Sequence, residues 1–328
     1  MTRGALALLA LLTSCGGPTV VPGRGPAARQ WSYRFALDGA LTRLEATVCF
    51  VGEAPAELAP IDASGRRYLL RADGPLGPDE APLPRDGRVI TTERMPPDSC
   101  MRYVVDLEAA ARQRGGIGGA YRIGTDLVAA TAVWLWAPRN RAPAARVTAT
   151  FELPSDVVVS PLWARNEDTW FLDERAFGFT AYAAFGRFEV RHVGVPGACL
   201  HVSLLGRGVG MGPDALSHCL AGSARAASMM LGRFPVREAG ILAVPTPFSS
   251  SSPFGIVGRG TMPTVAILVG DLATEERLAS AWVPVHEFSH LATPFIDRDD
   301  AWLSEGIATY YQEVLRARAD LQSAEQAW

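Results

Sequence analysis

Two histidines four residues apart, His286 and His290, stand in the run Val-Pro-Val-His-Glu-Phe-Ser-His. On a helix that spacing lays both rings on one face, near enough to share one metal ion, with Glu287 at the edge of the same face. Neutral imidazole nitrogen binds Zn²⁺ readily, and a carboxylate beside such an ion can accept a proton from water as a general base. Two imidazoles leave the ion short of a protein ligand. Downstream carboxylates at Asp297, Asp299, Asp300 and Glu305 can supply it. The three aspartates are placed to cap a helix, whereas Glu305 lies inside the amphipathic run DDAWLSEGIATYYQE, where Ser304, Glu305 and Ala308 share one side. A second helix crossing the first would carry Glu305 to the imidazoles, and Thr309, one turn on, could hydrogen-bond a ligand from behind. His192, His201 and His218 lack such company and read as ordinary structural residues.

The helices must hold that geometry. Pro284 would break a continuous helix through EERLASAWVPVHEFSH, so a kink or a fresh helix start is expected near Val283. Ahead of it the chain divides in two. Residues 30–172 hold short period-two segments such as WSYRFAL, LEATVCFV and RVTATFEL, broken by Gly, Pro and Asp, which predict an antiparallel β-sandwich-like domain. Residues 173–328 mix strands with helices, including one beginning near Pro213. The fold class is thus α+β.

With 328 residues, 48% of them hydrophobic, the chain can build two cores, and its net charge of −3 with scattered basic residues predicts no nucleic-acid partner. The start, MTRGALALLALLTSCGG, has a positive residue, a short apolar run and small residues, as an export signal does. The ending Leu12-Thr13-Ser14-Cys15 resembles a bacterial lipobox. Residues 1–15 would then be signal and lipobox, Cys15 the lipidated residue and membrane anchor, and the Gly/Pro-rich residues 16–29 a tether. The protein is expected as a cell-envelope lipoprotein, on the periplasmic side or in the outer membrane; without the lipid it would be periplasmic or secreted. Cys49, Cys100, Cys199 and Cys219 remain, an even number in an oxidising setting. Spacing favours Cys49 with Cys100 and Cys199 with Cys219, with three connectivities open.

His-Glu-x-x-His followed by Trp-Leu-Ser-Glu-Gly-x-x-x-Tyr resembles the gluzincin metallopeptidases, in particular the aminopeptidase N-type and glycyl aminopeptidase families. Thr293 and Ile296 stand where a metzincin needs Gly and His. The resemblance implies one Zn²⁺ per chain on His286, His290 and Glu305, with Glu287 as base, in a thermolysin-like mixed α/β zincin domain acting on a peptide or protein substrate. It also implies that the strand from Thr264 to Gly270 pairs with an extended peptide, with Gly260, Thr261 and Met262 leading into it.

The chain departs from the families at three points. The loop between His290 and Glu305 is shorter. Pro263 in GTMPT stands where the families' amine-anchoring Glu would be. The families' transition-state-stabilising Tyr or His follows the Glu helix, beyond Trp328, so the donor comes from elsewhere, the domain is incomplete, or the enzyme is impaired. Hydrolysis, as an aminopeptidase or an endopeptidase, is therefore weighed against a gluzincin-fold lipoprotein acting only as a binding or scaffold module, or a truncated fragment of a longer peptidase.

Overall fold

Alternating apolar residues build the first half as expected, but into several sheets. The structure, a computed structural model, describes Cys15 and residues 29–113, 119–139, 145–206 and 209–328. Residues 1–14 and 16–28, read above as signal and tether, lie outside the described residues. The largest sheet has eight strands, in the order Arg165–Asn166, Thr169–Leu172, Ala145–Glu152, Arg29–Leu37, Arg43–Val51, Cys100–Asp106, Leu69–Gly74 and Ala81–Pro82. Its pairs are antiparallel except that Arg29–Leu37 runs parallel to Ala145–Glu152. That corrects the all-antiparallel expectation: a period of two marks the buried face of a strand and carries no information about the direction of its neighbour.

A four-stranded sheet, Val158–Val159, Tyr182–Gly186, Asp126–Ala130 and Ala120–Ile123, draws in a strand from beyond residue 172. An aromatic core lies beneath these sheets: Phe35 meets Trp134 edge-on at 4.9 Å, and Trp163 and Phe185 pack around Trp134. Its cluster reaches Leu242, Val244 and Ala266 of the second half, so one apolar mass joins the early sheets to the later one.

The later sheet has five strands: β1 Glu189–Val195, β2 Ala198–Leu204, β3 Glu238–Thr246, β4 Gly255–Gly258 and β5 Thr264–Gly270, in the order β1-β2-β3-β5-β4. β2, β3 and β5 are mutually parallel, and their near-continuous Val, Ile, Leu and Ala content suits strands covered on both faces. Helices α1 Pro213–Ser228, α2 Glu275–Ala279, α3 Trp282–His290 and α4 Ala301–Arg318 accompany this sheet.

Pro284 sits in the first turn of α3, where its missing N–H has no intrahelical partner to lose, and α2 ends separately at its cap Ser280. The expected fresh start is what the backbone adopts. α4 begins after a 3₁₀ turn, Arg298–Asp300, and the Asp300 side chain makes no capping bond, so the aspartates do not cap it as the sequence suggested. Ala226 of α1, Val285 of α3 and Leu315 of α4 are buried together where the three helices meet. That apolar contact fixes the crossing of α3 and α4, and with it the separation of His286 from Glu305.

Cys49 and Cys100 form a disulfide across paired strands. The expected Cys199–Cys219 pair is not formed. Cys199, on β2, is bonded to Cys15, while Cys219, on α1, is a buried free thiol whose Sγ–H points to the Glu275 carbonyl at 3.4 Å. Sequence spacing could not show this, because the partner of Cys199 lies 184 residues away in the chain. In this structure the Cys15 sulfur is used by Cys199, and one sulfur cannot also carry the expected lipid. Among the described residues no helix is long and apolar enough to cross a membrane.

Candidate metal centre

α3 is buried along nearly its whole length, and His286, Glu287 and His290 are all below 10% exposed. The two imidazoles stack edge-on with Nε2 atoms 3.2 Å apart. Glu305 Oε2 lies 3.1 Å from His286 Nε2 and 3.6 Å from His290 Nε2. Three atoms separated by 3.1, 3.2 and 3.6 Å surround a point about 1.9 Å from each, close to the ~2.0–2.1 Å at which zinc takes nitrogen and oxygen. The donor set thus fits a small divalent ion. The three side chains form one of two described His/Cys/Asp/Glu groups compact enough to do so.

The residues behind the ligands set their tautomers. Gln312 Oε1 is 2.9 Å from His286 Nδ1, so it accepts the Nδ1 proton and leaves Nε2 as the free lone pair. Ser304 Oγ lies 3.4 Å from His290 Nδ1 and can do the same more weakly. Thr309, assigned a supporting role from its spacing, is exposed and makes no hydrogen bond to either histidine; Gln312 takes that place instead. Only the packing of α4 reveals that place. Ala308, Gln312 and Leu315 are the buried residues of α4, and a polar side chain in that stripe needs a buried partner. Gln312→Ala is expected to weaken metal binding about 10–100-fold with the helix intact, measured by competition with a chromogenic chelator.

Burial first, and then the charge of Glu305, push the Glu287 carboxyl up to about 8. Burial holds His290 below the ordinary imidazole range, against the upward pull of Glu305. A cation among the ligands would favour ionised Glu287 and so oppose both causes. Glu287 lies under the backbone of β4: a Cβ on Gly255 would stand 2.5 Å from Glu287 Cγ. Only glycine leaves the carboxylate where it is. If Glu287 acts as a base, Gly255→Ala should lower that activity on the order of 10²-fold, as an ångström-scale misplacement does, without changing the metal content.

A cleft of about 1430 Å³ opens over these groups, and Tyr182, Ile256, Val257 and Arg259 are among its other lining residues. β4 is the edge of its sheet, antiparallel to β5, while β5 (Thr264–Gly270) has β3 and β4 on its two sides. The open edge is therefore β4, and Thr264–Gly270 is an interior strand. Gly260, Thr261 and Met262 form the turn between β4 and β5 and do not line the cleft. Thr261 Oγ1 instead accepts from Ala164 N–H at 2.9 Å and donates to the Phe171 carbonyl at 3.2 Å, a structural tie. Arg259 closes the other side of the cleft. Its guanidinium donates to the carbonyls of His290 and Thr293 at the end of α3 and lies over the Phe295 ring.

The fold as a whole has a solved counterpart. The fold matches a crystal structure described as the aminopeptidase N family protein from Idiomarina loihiensis, with a TM-score of 0.65 at 12% identity. The match covers 90% of this chain and 56% of that one, so the chain spans little more than half of that protein's length. At this identity the likeness is one of fold. No family model and no curated protein matches the chain. The edge strand β4, Gly255-Ile256-Val257-Gly258, carries no carboxylate of its own.

Proposed function

We propose that the chain is a zinc-dependent peptidase of gluzincin type. The observation that carries this reading is the triangle of His286 Nε2, His290 Nε2 and Glu305 Oε2, with the buried Glu287 carboxylate beside it on α3. His286, His290 and Glu305 would hold the ion, which would supply Lewis acidity toward a scissile carbonyl and a water. Glu287 takes the proton from the attacking water and returns it to the leaving nitrogen. The free edge of β4 offers backbone N–H and C=O groups to an extended peptide, which fixes the register of the bond to be cut. The thermolysin-like character of the domain belongs to the same reading, with the catalytic groups lying within residues 173–328.

Tyr182 is the hydrogen-bond donor in this scheme. It lines the cleft, and burial together with the charge of Glu287 pushes its phenol up to about 12, so it keeps its proton at neutral pH. A protonated phenol beside the base can hydrogen-bond the oxygen on which charge develops. Tyr182→Phe is expected to lower kcat by about 10²–10³-fold, with metal content and KM little changed.

The lack of a carboxylate at the β4 edge favours substrates that do not depend on a free amino terminus. Cleavage is tested with internally quenched peptides, blocked and unblocked at the N-terminus, alongside elemental analysis of the purified protein. About one zinc per chain and chelator-sensitive cleavage are the expected results; a folded protein with one zinc and no cleavage of any peptide would leave the scaffold reading in its place. Export and anchoring through acylated Cys15 remain part of the proposal, and mass spectrometry of the envelope fraction tests them.

A further inference from the structure

The second compact donor group lies far from α3 in the chain. His192 on β1 is paired directly with His201 on β2, and Gly194 faces Cys199 one pleat along. Residues two apart on a strand share a face, so His192, His201 and Cys199 project from one side of the hairpin. The two Nδ1 atoms are 2.8 Å apart, so at least one ring presents an unprotonated nitrogen to the other. One ligand atom from each of the three residues lies within 4.8 Å of the others. Gly194 has no side chain to fill the space opposite the sulfur. Cys199 is buried, while His192 is exposed and leaves the group open to an entering ion.

We propose that His192, Cys199 and His201 form a second zinc site in chains where Cys15 is not bonded to Cys199. Two imidazoles and one thiolate are a donor set that zinc accepts, with a fourth position left for water or another ligand. Tetrahedral zinc holds neighbouring N and S ligands roughly 3.3–3.8 Å apart, so the group needs rotamer adjustments of about an ångström and no change in strand register. Arg165, whose charge acts on His201, is a positive neighbour that the thiolate offsets. The disulfide and the ion compete for one sulfur. Acylation of Cys15 would leave Cys199 a thiol and the site complete. Nothing in sequence spacing pointed here, because the three donors meet only through the register of the hairpin.

Cobalt(II) is the probe. It substitutes for zinc, and a thiolate ligand gives it a near-ultraviolet charge-transfer band that the sulfur-free His286–His290–Glu305 group cannot produce. The band therefore reads this proposal independently of the peptidase reading. Full-length Cys15→Ser is expected to bind one more equivalent than the disulfide-bonded parent and to show the band. Adding Cys199→Ser or His192→Ala should abolish both gains and leave the remaining metal in place; His192 is exposed, so its loss does not disturb the core. Should Cys15→Ser fold poorly, the parent treated with a mild phosphine reductant gives the same readout as a difference from Cys199→Ser treated alike, which discounts thiols released from Cys49–Cys100. Absence of the band in the free-thiol protein, or a band that survives Cys199→Ser and so belongs to Cys219, overturns the proposal.

Discussion

Glu287→Gln is expected to cut peptide hydrolysis by about 10²–10⁴-fold, the contribution of a positioned general base, while zinc content stays at about one per chain. Glutamine has almost the same shape, so it still fits beneath Gly255, whose absent Cβ sets the space available there. What it lacks is a carboxylate that can take and return a proton. Glu287 lies outside the ligand triangle, which is closed by His286, His290 and Glu305 alone. The variant therefore separates chemistry from metal binding, and kcat/KM measured beside elemental analysis reads both. A variant that hydrolyses at the parental rate removes Glu287 from the mechanism. One that loses metal along with activity would show that Glu287 helps to hold the ion.

The grouping of His286 with His290 was the most legible feature of the sequence because helix geometry is local: a spacing of four residues fixes which faces coincide. Glu305 was legible for the same reason, since only a helix crossing α3 could bring it in, and the burial of Val285 and Leu315 at the crossing supplies the contact that does so. Features that depend on strand neighbours were not legible. Thr264–Gly270 is apolar in every detail an edge or an interior strand would share, and β4, only four residues long, gives too short a run to announce that it lies outside it. The same limit hid the pairing of His192 with His201 and the parallel contact between Arg29–Leu37 and Ala145–Glu152. Gln312 was missed for another reason: its role follows from being the polar member of a buried stripe, and burial on α4 depends on how α3 is placed.

Glu305→Ala should empty the centre and bring hydrolysis to background. The Glu305 side chain is 61% exposed, so truncation removes little buried surface and the helix crossing at Val285 and Leu315 stays intact. What remains is two imidazoles whose Nε2 atoms are 3.2 Å apart, with no anionic ligand to complete the set. Loss of a direct ligand is expected to exceed the ~10–100-fold cost of losing a supporting hydrogen bond, and Glu305→Asp, one methylene short, should fall between parent and Ala. Thermal unfolding with added zinc supplies a readout independent of activity. An ion that binds only the folded chain stabilises it by about 2.7 kcal/mol at one hundred times its Kd. The parent should gain that stabilisation, and Glu305→Ala should gain none of it at the same zinc concentration. With the Cys15–Cys199 disulfide intact the second donor group has no free thiolate, so the shift reports on this centre alone. An Ala variant that is stabilised as much as the parent would take Glu305 out of the ligand set and return the choice to Asp297, Asp299 and Asp300.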